Sequence, residues 1–190
     1  MEDKGYYYTK ESVDEYIQMA KDVNSLQLIE KLRKHLPARS LMLEVGSGPG
    51  TDWQILSKDY QVVGSDNSNE FLHRLKAKYP QGEFLQLDAC TMDVNRTFDG
   101  IYSNKVLHHL SDKELQSSIQ AQLPVLNKGG VICHSFWLGE GTEEFKGMFV
   151  NYHSKDELST LFADAFEILV LEPYREFEEN DSIVLIGRKK

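Results

Sequence analysis

The stretch Leu43-Glu44-Val45-Gly46-Ser47-Gly48-Pro49-Gly50 constrains this chain more than any other. There an apolar run ends on a carboxylate and passes at once into glycines at alternate positions. Glycine serves a loop that must take φ > 0 or bring its main chain close to another group, since no Cβ intervenes. Pro49 stiffens the same loop. A parallel strand covered on both faces has room for an ionised side chain only at its carboxyl end, so Glu44 marks where the strand stops. The pattern predicts a buried strand, a tight turn and a helix over about Thr51 to Lys58.

The spacing does not fit the pattern G-x-G-x-x-G, because Gly50 arrives one residue early. The next two apolar runs are more telling. Tyr60 to Ser65 ends at Asp66, about 20 residues beyond Gly46, where doubly wound folds place an acid for ribose hydroxyls. Phe84-Leu85-Gln86-Leu87 ends at Asp88. Three successive strands that close on Glu44, Asp66 and Asp88 put three carboxylates along one edge of one sheet.

Helix and strand patterns alternate without a low-complexity linker or repeat, which predicts a three-layer α/β domain. Leu26, Leu28, Ile29, Leu32 and Leu36 form a helical stripe stopped by Pro37. A helix from Ser68 to Tyr79 stops before Pro80. Ser111-x-x-Glu114 and Ser154-x-x-Glu157 are capping boxes that open two later helices. Ala165 to Leu171 and Ile183 to Arg188 read as a closing hairpin.

These motifs resemble the class I S-adenosylmethionine-dependent methyltransferases, and the match runs from about Ser40 to the C-terminus. Phe98-Asp99-Gly100-Ile101-Tyr102-Ser103 resembles the family's fourth strand, and Leu126 to Ile132 its turn and fifth strand. The resemblance implies a Rossmann-like, seven-stranded, mostly parallel sheet with an antiparallel C-terminal hairpin, in the order 3-2-1-4-5-7-6. It implies S-adenosyl-L-methionine as cofactor. The acid at Glu44 would lie near the methionine amino group, Asp66 would meet the ribose hydroxyls, and Asp88 the adenine amino group. The implied cofactor set is Tyr16, Glu44, Gly46, Ser47, Gly48, Gly50, Asp66, Asn67, Asp88, Ala89, Ser103 and Asn104. Residues 1–38 would form a helical lid segment over a core of residues 39–190. Tyr16, in a helix-like Ser12 to Lys21, is the preferred lid residue and Tyr8 the second; the alternative is that these rings only anchor the segment.

The implied chemistry is methyl transfer, which asks mainly for positioning because the leaving group is already activated. An acceptor hydroxyl or protonated nitrogen would need a base, and histidine suits neutral pH. Val106-Leu107-His108-His109-Leu110 follows the fourth strand. It resembles the Leu-His-Asp-Trp segment of O-methyltransferases, which points to His108 as candidate base. His109 and Leu110 depart from that pattern, so a structural or cofactor-side role competes. On a helix the two adjacent rings would diverge by roughly 100°. His134 and His153 read either as lining the substrate side or as satisfied loop histidines. Leu138 to Phe149 reads either as a substrate wall or as a surface loop.

A net charge of −9 with no long basic run disfavours nucleic acid and favours a small-molecule acceptor. No Asn-Pro-Pro-Tyr element follows the fourth strand; Ser103-Asn104-Lys105 stands there. The histidines show no H-x-x-x-H spacing, so no metal is expected. Cys90 and Cys133 read as reduced thiols, and no membrane-length apolar run is present, which suggests a cytoplasmic monomer or homodimer. Two other functions fit the motifs: different cofactor chemistry on the same fold, or a non-catalytic cofactor-binding partner protein.

Overall fold

β1 (Leu41–Val45) is the strand that delivers the glycine loop, and its side chains alternate between two cores as a twofold pleat requires. Leu43 and Val45 enter one apolar cluster and Met42 enters the other. The structure, a computed structural model, describes residues 6–21, 23 and 25–190, with the side chain of Tyr8 outside the described residues.

The glycine loop leads into α3 (Thr51–Leu56), two residues shorter than the pattern predicts, and then β2 (Gln61–Asp66). α4 (Asn69–Lys78) comes next, with Ser68 Oγ accepting from Phe71 N at its start, and then β3 (Glu83–Gln86). β4 (Phe98–Asn104) is followed by the 3-10 turn Leu107–His109, α5 (Asp112–Val125) and β5 (Leu126–Trp137). α6 (Lys155–Ala163) precedes the last two strands of the main sheet. Both capping boxes form as expected, at Ser111 and Ser154. Leu138 to Phe149 is no plain loop: β6 (Thr142–Phe145) and β7 (Met148–Asn151) pair as an antiparallel hairpin. β8 (Phe166–Tyr174) and β9 (Ser182–Lys189) close the main sheet. β8 runs past Leu171 through Pro173, which an edge strand accommodates without losing an interior hydrogen bond.

The main sheet has the order β3-β2-β1-β4-β5-β9-β8. With the hairpin left out of the count this is 3-2-1-4-5-7-6, parallel up to β5 and antiparallel where β9 inserts between β5 and β8. Residues of α5 and α6, including Leu115, Ile119, Leu158 and Phe162, pack on one face with Leu43, Ile101 and Phe136. α2 (Leu26–Leu32) and α3 pack on the other face with Met42, Tyr102 and Val184. Full burial of each such side chain is worth roughly 1.5–3 kcal/mol. Leu26 departs from the expected stripe: it is 43% exposed, while Leu28, Ile29 and Leu32 carry the contact.

α1 (Lys10–Met19) opens two residues before Ser12, because Thr9 Oγ1 accepts from Ser12 N and caps the earlier turn. It crosses the carboxyl edge of the sheet, with the 3-10 turn Tyr6–Tyr8 ahead of it. Tyr16 and Tyr7 meet edge to face at 5.3 Å, and both reach Phe71 of α4. The hairpin meets this segment through Lys146, which pairs with Glu15. Among the described residues no helix is long and apolar enough to cross a membrane.

Candidate active site

At the end of β1 the chain must leave the sheet and turn under α1. Gly46 (φ +71°) makes that exit, and a Cβ there would stand 2.4 Å from Val106 Cγ2. Gly48 (φ +48°) brings its N–H within 2.9 Å of Asp66 Oδ2, and Asp66 Oδ1 accepts from Ser68 N at 2.8 Å. The carboxylate at the end of β2 is thereby aimed across the loop. Burial nevertheless holds the Asp66 carboxyl above its usual range.

Three adjoining cavities run along this edge. The first, of about 210 Å³, has Gly46, Gly48, Asp66, Asn67, Asp88 and Ala89 among its walls, with Tyr7 and Tyr16 as part of its cover. The second, of about 70 Å³, lies under the glycine loop between Glu44, Ser47 and Asp52. The third, of about 340 Å³, opens between β5, the hairpin and α1, and includes His108, Lys105 and Trp137. Tyr16 and Asn104 border all three.

The second cavity is lined by two buried carboxyl groups. Glu44 is buried, accepts from Ser47 Oγ at 2.5 Å, and has its carboxyl pushed up to about 8 by burial and by the charge of Asp52. Asp52 accepts from Ser25 Oγ at 2.7 Å, Tyr102 Oη at 2.8 Å and Asn104 Nδ2 at 3.1 Å. Burial raises its pKa, and those three donors oppose the rise. Two buried carboxyls at one small void suit a ligand ammonium, which would offset the cost of desolvating them.

Residues 42–130 match a methyltransferase-domain family. The fold is shared more widely: over 95% of this chain and 84% of the other it superposes, at TM-score 0.79 and 18% identity, on Burkholderia thailandensis 1,6-didemethyltoxoflavin-N1-methyltransferase, whose structure holds 1,6-didemethyltoxoflavin and S-adenosylhomocysteine. The matched segment and the shared fold support a class I S-adenosylmethionine-dependent methyltransferase. It is 29% identical over 127 residues to an uncharacterised methyltransferase of Alkaliphilus oremlandii, covering 66% of this chain and 58% of that one. It is 35% identical over 104 residues to a trans-aconitate 2-methyltransferase of Methylobacterium radiotolerans, covering 53% of this chain and 39% of that one. The chain thus spans only about 40 to 60% of the length of these two relatives.

Most of the expected site residues come together at the cavities, and two do not. Ser103 points to the opposite face of β4, where its Oγ lies 2.8 Å from His134 Nδ1, as the alternation of a strand that aims Asn104 at the cleft requires. Gly50 (φ +78°) lines none of the three cavities; its missing Cβ would collide with Leu75 Cδ2 at 2.7 Å, so it serves the packing of α4. His134 is likewise no substrate-side residue and no loop residue. It sits within β5, held by Ser103 and by Gln122 at 2.9 Å, with burial lowering its pKa to about 3. His153 packs edge to face on Phe136 at 5.5 Å, away from the third cavity.

His108 does border the third cavity. It is buried, its Nδ1 has no hydrogen-bond partner, and burial together with His109 and Lys105 drives its pKa well below the usual imidazole range. The turn is 3-10 rather than α-helical, and the rings of His108 and His109 lie 4.0 Å apart instead of diverging.

Four contributors are not evident from sequence patterns alone. Asp52 carries a readable signal, an acid in the first turn of the helix after the glycine loop, but its partners Ser25, Tyr102 and Asn104 are remote in sequence. Tyr7 is one of several tyrosines ahead of the fold. Lys105 (φ +53°) is a nearly buried ammonium paired with Glu176 at 2.9 Å, and it lies 3.3 Å from the ring centre of Trp137. Burial lowers its pKa to about 8, against the opposing pull of Glu176. Nothing local announces Lys105 and Glu176, because Trp137 reaches Lys105 through the pairing of β4 with β5 and Glu176 reaches it from the connection between β8 and β9. Among the described residues no three His, Cys, Asp or Glu side chains gather as a metal set.

Proposed function

We propose that this chain transfers the methyl group of S-adenosyl-L-methionine to a small-molecule acceptor. The observation that carries the reading is the distribution of acids over adjoining cavities: Glu44 with Asp52 in one, Asp66 with Asp88 in the next. Glu44 and Asp52 suit the amino group of the cofactor, Asp66 the ribose hydroxyls, and Asp88 with Ala89 the adenine edge. Gly46, Ser47 and Gly48 bring main chain against the ligand, and Asn67 and Asn104 complete the walls. Tyr16, reinforced by Tyr7, covers the site.

The cofactor supplies an electrophilic methyl group, so the protein's work is orientation and exclusion of water. His108, held neutral at the wall of the third cavity, is placed to take an acceptor proton. Relatives with small-molecule acceptors in their names, 1,6-didemethyltoxoflavin and trans-aconitate, support an acceptor of that class. The net charge of −9 supports the same choice over nucleic acid. The reading takes residues 1–190 as one domain with residues 1–38 as its lid segment, acting as a cytoplasmic monomer or homodimer without a metal.

Calorimetry with S-adenosylhomocysteine tests the donor half. Binding to the parent and a loss of about 1–3 kcal/mol in Asp66→Ala are expected, since ribose hydroxyls would be buried without a partner. Unchanged affinity in that variant would place the ribose elsewhere.

A further inference from the structure

The third cavity specifies its occupant through charge and shape. Its charged wall residues, Lys105 and Glu176, are spent on each other: Lys105 Nζ lies 2.9 Å from Glu176 Oε2 and donates to Ser182 Oγ at 2.6 Å. The third side of the same ammonium is covered by the face of Trp137. An acceptor carboxylate or phosphate entering here would have to break an ion pair whose two side chains are only 9% and 11% exposed. A cationic acceptor would meet an ammonium rather than a free acid.

Much of the remaining surface is aromatic or apolar, with Asn104 and His109 as further uncharged members. Trp137 and Phe177 stack at 5.9 Å with only 22° between their planes. Met148 and Val150, both buried, come from the inward face of β7. The imidazole of His108 stands 6.2 Å from Trp137 at 65°, as a wall roughly across the stack. Its Nδ1 is buried without a hydrogen-bond partner. About 340 Å³ bounded largely by aromatic rings and apolar side chains, with the unpartnered Nδ1 of His108 at one wall, favours a planar ring system carrying a polar handle.

Resting on the proposed methyl transfer, we infer that the acceptor is an uncharged, flat aromatic or heteroaromatic molecule, seated against Trp137 and Phe177 with its reacting hydroxyl or ring nitrogen toward His108. The Lys105–Glu176 pair is the specificity determinant that excludes anionic acceptors. Glu176 masks a cation that would otherwise bind them.

The experiment uses the full chain, first titrated with S-adenosylhomocysteine alone and then, saturated with it, with ring probes. 4-Hydroxyquinoline and 8-hydroxyquinoline represent the inferred class, benzene-1,3,5-tricarboxylate a flat anion, and cyclohexanol a neutral non-planar control. Both hydroxyquinolines are expected to bind at least tenfold tighter than either control. Phe177→Ala, at a side chain 56% exposed and so safe for folding, and Trp137→Ala should each weaken them about tenfold with S-adenosylhomocysteine affinity kept within twofold. Glu176→Gln at pH 6.5 should raise affinity for the tricarboxylate at least tenfold. Tighter binding of the tricarboxylate by the parent, hydroxyquinolines no better than cyclohexanol, or indifference to both aromatic substitutions would each overturn the inference while leaving the donor assignment standing. Failure of the first titration would overturn the two together.

Discussion

The hydroxyl of Tyr7 lies 3.1 Å from Nε2 of His109, while the Nδ1 of the same ring lies 2.7 Å from the carbonyl oxygen of Phe149. A carbonyl can only accept, so Nδ1 carries the hydrogen and Nε2 of the neutral ring accepts from the phenol. Burial, which lowers the His109 pKa, favours that neutral form. One imidazole thus ties the N-terminal segment to the hairpin across the mouth of the cleft.

Tyr7→Phe removes this tie and leaves the ring packing on Tyr16 and Phe71. A hydrogen bond of this kind contributes about 0.5–1.5 kcal/mol, so S-adenosylhomocysteine should dissociate roughly two- to tenfold faster. Stopped-flow displacement gives the rate; an unchanged value would mean that the segment does not gate release.

Glu44 gives the site a pH signature. Its carboxyl titrates at about 8 in the folded protein against 4.5 as the ordinary value, so it is protonated at neutral pH. A carboxyl raised in this way binds more protons folded than unfolded, and its contribution to stability falls as pH rises from about 4.5 to about 8, then levels. An ammonium ligand pulls the pKa back down, so binding near pH 7 should release a proton and tighten toward pH 8. Calorimetry in buffers of different ionisation enthalpy reads that proton, and Glu44→Gln should abolish its release. Release persisting in the variant would assign it to another group.

Gly46→Ala combines a left-handed backbone with a 2.4 Å contact on Val106, and a loss of about 1–3 kcal/mol is expected in denaturant unfolding. Adding Val106→Ala should recover the steric part but not the backbone strain. A double variant no more stable than Gly46→Ala alone would count against the contact as the cause.

His108→Gln separates chemistry from binding. With His108 as base, kcat should fall roughly 10²–10⁴-fold on an acceptor that must lose a proton, with S-adenosylhomocysteine affinity unchanged. A fall of only a few-fold would reduce His108 to a wall of the cavity.

The proposed donor side of this molecule is largely written in local sequence. Glu44, Asp66 and Asp88 end or follow consecutive strands, and a short segment carries both the strand and the turn, so spacing along the chain translates directly into position along one sheet edge. Ser103 and Gly50 show where that logic stops. Strand alternation sends Ser103 to His134, and a glycine required by Leu75 looks in sequence like one required by a ligand. The acceptor side resists for a different reason. Lys105, Trp137 and Glu176 lie on separate strands and loops: the pairing of β4 with β5 brings Trp137 to Lys105, and Glu176 joins them only when β9 inserts in antiparallel register beside β5. The hairpin is hidden because Thr142 to Phe145 is exposed throughout and lacks an apolar alternation.

That inserted strand also governs how the molecule can be made. β9 is the latest of the described strands in chain order, yet Ile183 to Ile186 are wholly enclosed and flanked on both sides by partners. On a ribosome, the nascent polypeptide therefore carries β5 with an unzipped border until residues 182–189 emerge. The Lys105 clamp, whose Glu176 and Ser182 arrive with that late stretch, closes only after every other strand of the sheet has been synthesised.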